Sequence, residues 1–101
     1  MREIRYLDAA RAELDATVVW YRDHRTAGGA EMFLTDISDA ILQIAELPDA
    51  WPVSRIDSRV RVRYLRRLRY GLFYVVDREA VTIVAIAHTS RRPGYWLDRM
   101  R

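Results

Sequence analysis

The sequence predicts an α+β domain of two layers, in which a helical hairpin packs on one face of an antiparallel sheet. The first observation is a change of period: apolar residues recur at helical spacing up to position 47, whereas beyond position 59 they alternate with arginines or run continuously. The second observation is the position of the helix-breaking residues, because Gly28-Gly29 divides the helical half and Pro48 ends it. The predicted order is therefore β-α-α-β-β-β.

The N-terminal half is predicted to hold one short strand and two helices. Ile4 and Tyr6 alternate with charged neighbours as in an edge strand, and Asp8 is placed to cap the helix that follows. This helix is expected to run to about Arg25, and Trp20 is assigned to the core. The apolar positions of the two helices are Ala10, Leu14, Val18 and Tyr21, then Phe33, Ile37, Ala40, Ile41, Ile44 and Leu47.

The C-terminal half is predicted to form three strands. Residues 70–76 are apolar on both faces, and the turn at residues 77–79 leads to a second apolar run over residues 81–86, so these two strands should be central. In the preceding strand, apolar and charged residues alternate: Val60, Val62 and Tyr64 on the buried face, Arg59, Arg61 and Arg63 on the charged face.

Length and composition narrow the class of protein. With 101 residues, the chain is expected to be a single domain over residues 1–101. Without cysteine it has no disulfide, thiol nucleophile or cysteine-ligated zinc, and we predict neither metal nor cofactor. We expect no signal peptide, because residues 1–6 include an acidic residue and no apolar segment, and no apolar run approaches the roughly 20 residues of a membrane span. We therefore predict a cytoplasmic protein without a membrane partner.

The net charge of +3 hides a division between the two halves. Residues 1–50 carry five arginines and ten acidic residues, a charge of −5, whereas residues 51–101 carry twelve arginines and four acidic residues, a charge of +8. Because guanidinium forms planar, bidentate hydrogen bonds with phosphate and carboxylate, the basic half suits a polyanion or an acidic protein segment.

The C-terminal segment combines residue types that often carry binding energy. An apolar strand ends on His88 and is followed by Arg91-Arg92, Pro93-Gly94, Tyr95-Trp96 and Arg99. Two interpretations follow: Tyr95 and Trp96 fold back onto the sheet after a turn, or the segment is a contact surface.

These motifs, in this order, resemble the RelE/ParE superfamily of type II toxin-antitoxin toxins, most closely its ParE-like branch. The resemblance spans nearly the whole chain. Its parts are Ala12-x-Leu14 and Trp20-Tyr21, Phe33-x3-Ile37-x2-Ala40-Ile41-x2-Ile44-x3-Pro48, Trp51-Pro52, Tyr70-x-Leu72-x-Tyr74, and His88-x2-Arg91-Arg92-Pro93-x-Tyr95-Trp96-x2-Arg99.

The resemblance implies a cognate antitoxin as partner and one of two activities. ParE-like members inhibit DNA gyrase and are not known to be hydrolytic enzymes, whereas RelE-like members cleave messenger RNA on the ribosome. We expect the first activity, with growth arrest and a role in plasmid stabilisation. The target contact is assigned to Arg91, Arg92, Tyr95, Trp96 and Arg99, and the antitoxin contact to Arg59, Arg61, Arg63, Arg66, Arg67 and Arg69.

Two alternatives stay open. A ribonuclease would use His88 to accept a proton, Arg91 or Arg92 against the phosphorane charge, and Tyr95 as a donor to the leaving oxygen. Gly71 counts against this, because the messenger-cleaving branch commonly has an arginine at the corresponding place. The second alternative is a degenerate member of the family that binds antitoxin and has no toxic activity. His88 also has a purely structural interpretation, as a histidine at the end of a strand bonded to a carbonyl. For Arg59, Arg61 and Arg63 the structural interpretation is a solvated, charged face of the sheet.

Overall fold

The computed structural model of the chain describes residues 2–24 and 28–101. It confirms the predicted order of elements and the two-layer α+β architecture. The elements are β1 Glu3–Tyr6, α1 Asp8–Asp23, α2 Gly29–Glu46, β2 Arg61–Leu65, β3 Tyr70–Val76 and β4 Ala80–His88, with 3₁₀ turns at Pro48–Ala50 and Leu97–Met100.

The sheet has the strand order β1-β4-β3-β2, so β3 and β4 are central as predicted. One detail of the prediction is corrected: β1 pairs with β4 in parallel, and the sheet is mixed rather than antiparallel throughout. The helices and connector carry the chain to the far edge, where β2 starts in the same direction as β1. The two hairpin turns that follow reverse the chain twice. Strand β4 therefore reaches β1 pointing the same way.

The start of α1 differs from the prediction by one residue. Leu7 is the N-cap and Asp8 is the first helical residue, and no side chain caps this end of the helix. At that position Asp8 still lies where negative charge favours the helix dipole. The helix is assigned through Asp23, and the predicted endpoint Arg25 lies outside the described residues.

The main core lies between the helices and the sheet, and it contains most of the predicted helix residues. Ala10, Phe33, Ile37, Ala40 and Ile44 are buried there against Leu72, Tyr74, Val81, Ile83 and Ile86, with Leu14, Val18, Tyr21 and Ile41 packed at the margin. Two core assignments were wrong, because Trp20 is 49% exposed and Leu47 is 64% exposed. Trp20 points outward and stacks on His24, and Leu47 follows the last helical residue.

A second apolar cluster covers the opposite, helix-free face of the sheet. Val60, Val84, Ala85 and Trp96 are buried in it, with Phe73, Val75, Tyr95 and Met100 at its margin. Val84 and Ala85 are successive residues that share this cluster, because the β3–β4 ladder shifts register at Phe73/Tyr74. The central strands are therefore apolar on both faces because each face has its own cover.

The residues of strand β2 alternate between two faces as predicted, but the two faces are not simply one buried and one exposed. Val62 is buried as expected, whereas Tyr64 is 51% exposed because it lies on an edge strand beyond the C-terminal cover. Arg61 and Arg63 share the helix side of the sheet with buried Leu65 and are only partly exposed. This charged face is therefore covered in part by the connector and α2.

Tyr74 joins the sheet to the end of α2 and provides a test of the core. Its hydroxyl donates a hydrogen bond of 2.6 Å to the carbonyl of Pro48, and its side chain is buried. Replacement with phenylalanine leaves this carbonyl unpaired, so we expect Tyr74→Phe to lower the free energy of unfolding by about 1–3 kcal/mol at pH 7. Urea denaturation measures this, with Tyr64→Phe at an exposed position as the matched control.

The same variant has an expected pH signature. Burial raises the pKa of Tyr74 from 10.0 to about 12. A raised folded-state pKa means that the contribution to stability is fully present below the unfolded pKa near 10 and is lost as the pH rises towards 12. The difference between the wild type and Tyr74→Phe should therefore shrink from pH 9 to pH 12. A difference that stays constant over this range would contradict the assigned hydrogen bond.

Candidate functional site

The C-terminal segment folds back onto the helix-free face of the sheet, which is the first of the two interpretations of this sequence. Gly94, at φ +77°, makes the turn in a conformation that glycine adopts readily. The indole of Trp96 is 1% exposed and lies 5.5 Å from the Phe73 ring, centroid to centroid. Within the group predicted to contact the target, Trp96 thus serves packing, whereas Arg91 and Arg92 are exposed.

A carboxylate on α1 anchors this segment. Glu13 accepts hydrogen bonds from the Tyr95 hydroxyl at 2.5 Å and from Arg99 Nη1 and Nη2 at 2.8 and 3.1 Å. It also accepts the backbone N–H of Ile86 at 3.1 Å. Two side chains predicted to meet a target are therefore held inside the molecule by a residue that the sequence analysis did not select.

The anchor exists because β4 is longer than its neighbour β1. Strand β1 ends at Tyr6, opposite Ile83, so the following residues of β4 have no strand on that edge. Glu13 accepts the N–H of Ile86 and Arg99 donates to the carbonyl of Val84 at 3.0 Å, which satisfies backbone groups along this edge. The sequence does contain a sign that Glu13 faces the protein interior, since this acidic residue lies between Ala10 and Leu14 on the apolar stripe of α1.

The electrostatics of the anchor keep Glu13 ionised and Tyr95 protonated. Burial alone would raise the pKa of Glu13, but the hydrogen bonds from Arg99, Tyr95 and Ile86 outweigh it and the pKa lies below its usual value. Burial, followed by the hydrogen bond to Glu13, raises the pKa of Tyr95 well above its usual range. The phenol therefore keeps its proton and donates a hydrogen bond to the Glu13 carboxylate.

Arg91 is placed by the same anchor. Its guanidinium carbon lies 3.9 Å above the centroid of the Tyr95 ring, a cation–π contact. Because Glu13 holds the Tyr95 hydroxyl, the ring offers a fixed platform. The Arg91 charge is thereby oriented at the surface without an ion pair to any carboxylate of the described residues.

His88 is engaged locally, at the end of β4. Its Nδ1 accepts the backbone N–H of Ser90 at 3.1 Å and lies 2.8 Å from the Ser90 hydroxyl oxygen. Because a backbone N–H can only donate, Nδ1 is the acceptor in the contact with Ser90 N–H. The ring also packs edge-on against Tyr70, with centroids 5.3 Å apart. This resembles the plain interpretation of a strand-end histidine, with Ser90 as the partner instead of a carbonyl.

Gly71 lies where two aromatic rings leave little room for a side chain. A Cβ there would stand 3.0 Å from Phe73 Cε1 and 3.2 Å from Tyr64 Cε1. The place where a messenger-cleaving relative commonly has an arginine is thus occupied by the Tyr64 and Phe73 rings.

Most arginines assigned to the antitoxin contact have partners within the chain. Arg59 pairs with Asp57 at 2.6 Å and Arg67 pairs with Asp36 at 2.7 Å. In both pairs the arginine side chain is exposed, at 63% and 60%, whereas the carboxylate side chain is only 10% and 19% exposed.

Arg61 and Arg63 attach β2 to the connector and to α2. Arg61 donates to the carbonyl of Trp51 at 2.6 Å. Arg63 donates to Gln43 Oε1 at 2.8 Å, and its guanidinium lies 5.2 Å from the Trp51 ring centroid. Arg66 and Arg69 are exposed, so within this group they are the arginines most available to a partner.

A cavity of about 580 Å³ opens on the helix-free face beside the folded-back segment. Its wall includes Val53, Ile56, Val62, Tyr64, Phe73 and Ala87, and it is bordered by Arg55, Arg91 and Arg92. His88 and Tyr95 also border it, so the structure brings the three catalytic candidates His88, Arg91 and Tyr95 to one cavity. Across residues 2–24 and 28–101, no three His, Asp or Glu side chains are grouped so as to hold a metal ion.

Comparison with solved structures supports the fold. A chain of the chromosomal ParDE TA system from P. aeruginosa superposes with a TM-score of 0.62 at 21% identity, over 89% of this chain and 98% of that one. The isolated RelE toxin from E. coli superposes with a TM-score of 0.65 at 18% identity, over the full length of both chains. A search of curated protein sequences finds no significant match.

A family model gives the class of protein. The model described as the ParE toxin of the type II toxin-antitoxin system, parDE, matches residues 4–93. The fold and this match define a toxin of a type II toxin-antitoxin system. The chain belongs to the ParE toxin family. In the part of the chain that the structure describes, no helix is long and apolar enough to cross a membrane.

Proposed function

We propose that this ParE-family toxin acts in the cytoplasm by binding DNA gyrase, inhibits the enzyme and so arrests growth, and is neutralised by a cognate antitoxin. The observation that carries the proposal is the family match over residues 4–93. Plasmid stabilisation belongs to the same proposal, since loss of a neutralising partner would release the toxin.

The state of the catalytic candidates supports binding over hydrolysis. An RNA-cleaving site needs a proton donor for the leaving oxygen, but the Tyr95 hydroxyl already donates its hydrogen bond to Glu13. It needs a cation at the scissile phosphate, and the Tyr64 and Phe73 rings fill the space beside Gly71. Both features support a toxin that acts by binding.

A ribonuclease is the second candidate, and one observation favours it. His88, Arg91 and Tyr95 border the same cavity, as a general base, a cation and an acid would have to. The two functions therefore differ in whether these side chains touch a reacting phosphate.

The exposed surface also supports an antitoxin contact away from the cavity. Leu34 and Leu42 are 37% and 54% exposed on α2, and Arg66 and Arg69 are exposed in the β2–β3 turn, where Arg67 pairs with Asp36 of that helix. An amphipathic acidic segment that folds on binding would match apolar groups next to guanidinium groups.

The decisive experiment assays the purified chain in parallel against gyrase supercoiling and against messenger RNA in translating ribosomes. We expect loss of supercoiling, or trapped cleaved DNA, with intact messenger. Addition of the antitoxin should restore supercoiling, which controls for a contaminating inhibitor. Codon-positioned cleavage of messenger with normal supercoiling would overturn the proposal in favour of the ribonuclease.

A double variant separates the two functions by mutation. His88→Ala combined with Tyr95→Phe removes the proposed base and acid but keeps the Tyr95 ring under Arg91. A gyrase-binding toxin should remain toxic in cells, because neither removed group acts chemically and Arg91 loses only the fixed position that the Tyr95 hydroxyl gives it. Toxicity is read from colony counts after induction, with thermal melting to verify the fold. Abolished toxicity in a stably folded double variant would instead support catalysis by these groups.

A further inference from the structure

We propose that the cavity on the helix-free face is the docking site for the target enzyme, and that it receives a large apolar side chain flanked by carboxylates. This inference rests on the proposed function and specifies where the toxin holds its target. It concerns the wall of the cavity, which includes residues that the sequence analysis did not assign.

The first observation is an apolar surface that the fold leaves open. Val53 is 46% exposed, Ile56 is 45% exposed and Tyr64 is 51% exposed, and all three border the cavity. Its volume of about 580 Å³ lies within the range of sites that hold a small ligand. It therefore suits one or two side chains of a partner.

Gly71 shapes the floor of this cavity. The absence of a side chain there lets the Tyr64 and Phe73 rings approach edge to face, with centroids 6.4 Å apart. A Cβ at this position would stand 3.0–3.3 Å from the two rings, so the rings would have to shift to admit it. The same glycine that counts against a phosphate site thus keeps an apolar floor open.

The second observation is a set of arginines around the apolar wall. Arg55, Arg91 and Arg92 are exposed and border the cavity, and none of them forms an ion pair with a carboxylate of residues 2–24 or 28–101. Other arginines of this half, such as Arg59 and Arg67, have such partners. Three positive charges around an apolar cavity complement an apolar side chain that lies between acidic residues.

One of these charges is held in place before the partner arrives. Arg91 lies on the Tyr95 ring at 3.9 Å, and Glu13 fixes Tyr95 through its hydroxyl. Because less side-chain freedom remains to be lost on binding, a fixed guanidinium binds a carboxylate more tightly than a mobile one. Glu13 and Tyr95 are therefore positioning residues for Arg91.

The composition of the wall favours a protein occupant over a nucleic acid. The wall combines the Tyr64 and Phe73 rings with the aliphatic side chains of Val53, Ile56, Val62 and Ala87, and these aliphatic groups offer no stacking face for the bases of a single-stranded nucleic acid. The small volume favours the target over the antitoxin, since a segment that folds along the toxin needs a longer surface, such as the outer face of α2 beside the β2–β3 turn. We therefore assign the cavity to the target.

The test measures how strongly cavity variants inhibit purified gyrase holoenzyme. Ile56→Asp places a carboxylate against the apolar wall, and the double variant Arg91→Glu with Arg92→Glu reverses the charge of its border. Each should raise the concentration needed to inhibit supercoiling by at least tenfold, while thermal melting and antitoxin capture stay unchanged. Matched controls are Leu47→Asp, an exposed leucine in the connector, and Arg78→Glu, in the turn at the other end of the sheet; both should inhibit like the wild type.

The outcomes separate this inference from the function on which it rests. A wild-type chain that leaves supercoiling intact rejects the proposed function and this site with it. If the wild type inhibits gyrase and the cavity variants inhibit equally well, the site alone is wrong. Lost antitoxin capture with full inhibition would assign the cavity to the antitoxin. Lost messenger cleavage would assign it to RNA, and either result overturns the proposal.

Discussion

Replacement of Trp96 with alanine is expected to lower the free energy of unfolding by about 3–5 kcal/mol, the usual cost of removing a buried tryptophan. The indole is 1% exposed and is buried with Val60, Val84 and Ala85. Its loss would leave a void on the helix-free face, where the strands have no helix to cover them. Since a small domain is stable by only about 5–15 kcal/mol, this is a large fraction of the total.

Chemical denaturation followed by far-UV circular dichroism measures this effect. Trp96→Phe keeps part of the packing and should lie between the wild type and Trp96→Ala, and Leu97→Ala at a 40% exposed neighbour should change little. A Trp96→Ala protein as stable as the wild type would show that the segment does not pack on the sheet in solution.

This prediction also changes how the target contact should be tested. A truncation from Pro93 onward would not test the target contact alone, because it removes Trp96 and Arg99 and exposes the second apolar cluster. Point variants at the exposed Arg91 and Arg92 avoid this loss of packing.

Replacement of Glu13 with alanine is expected to lower the free energy of unfolding by about 2–4 kcal/mol. Loss of one partner of a buried ion pair costs about 3–5 kcal/mol, and the estimate is lower here because the Arg99 and Glu13 side chains keep 20% and 16% exposure. The Tyr95 hydroxyl and the Ile86 N–H lose the same acceptor. Denaturant unfolding measures the loss, and Asp15→Ala, on the exposed side of the same helix, is the control.

The charge of Glu13 adds a pH dependence to this prediction. Since its folded-state pKa lies below its ordinary value of 4.5, its contribution is present above the unfolded pKa and is lost as the pH falls through the folded pKa. Glu13→Gln keeps an acceptor oxygen but not the charge, so it should unfold with a shallower dependence on pH below about 5. An unchanged acid limb in Glu13→Gln would contradict the ionised anchor.

A double-mutant cycle identifies the partner. Arg99→Met should destabilise the wild type but much less the Glu13→Leu protein, because the charge left unpaired by either single change is absent from the double variant. Additive effects would show that Glu13 and Arg99 act independently.

Local patterns were sufficient for the elements and their positions in the sheet. Strand β3 was predicted over residues 70–76, and its bounds are Tyr70–Val76. A continuous apolar run indicates a strand that is buried on both faces, whichever parts of the chain cover those faces. Strands β3 and β4 could therefore be placed at the centre of the sheet. Errors occurred where a position at the margin of an apolar stripe depends on neighbours far along the chain, as for Trp20, Leu47 and Tyr64.

The candidate site was predicted by residue type but not by arrangement. Periodicity, composition and the order of the motifs are properties of the chain, so they were enough to predict a two-layer α+β protein with the motifs of a toxin family and an excess of arginine in its second half. The folded chain was needed to show that Trp96 is buried, that Arg99 and Tyr95 are held by Glu13, and that Arg91 and Arg92 are exposed beside an apolar cavity. The reason is physical: an arginine is available to a partner only if no carboxylate of its own chain lies within hydrogen-bonding distance, and Glu13 is separated from Arg99 by 86 positions.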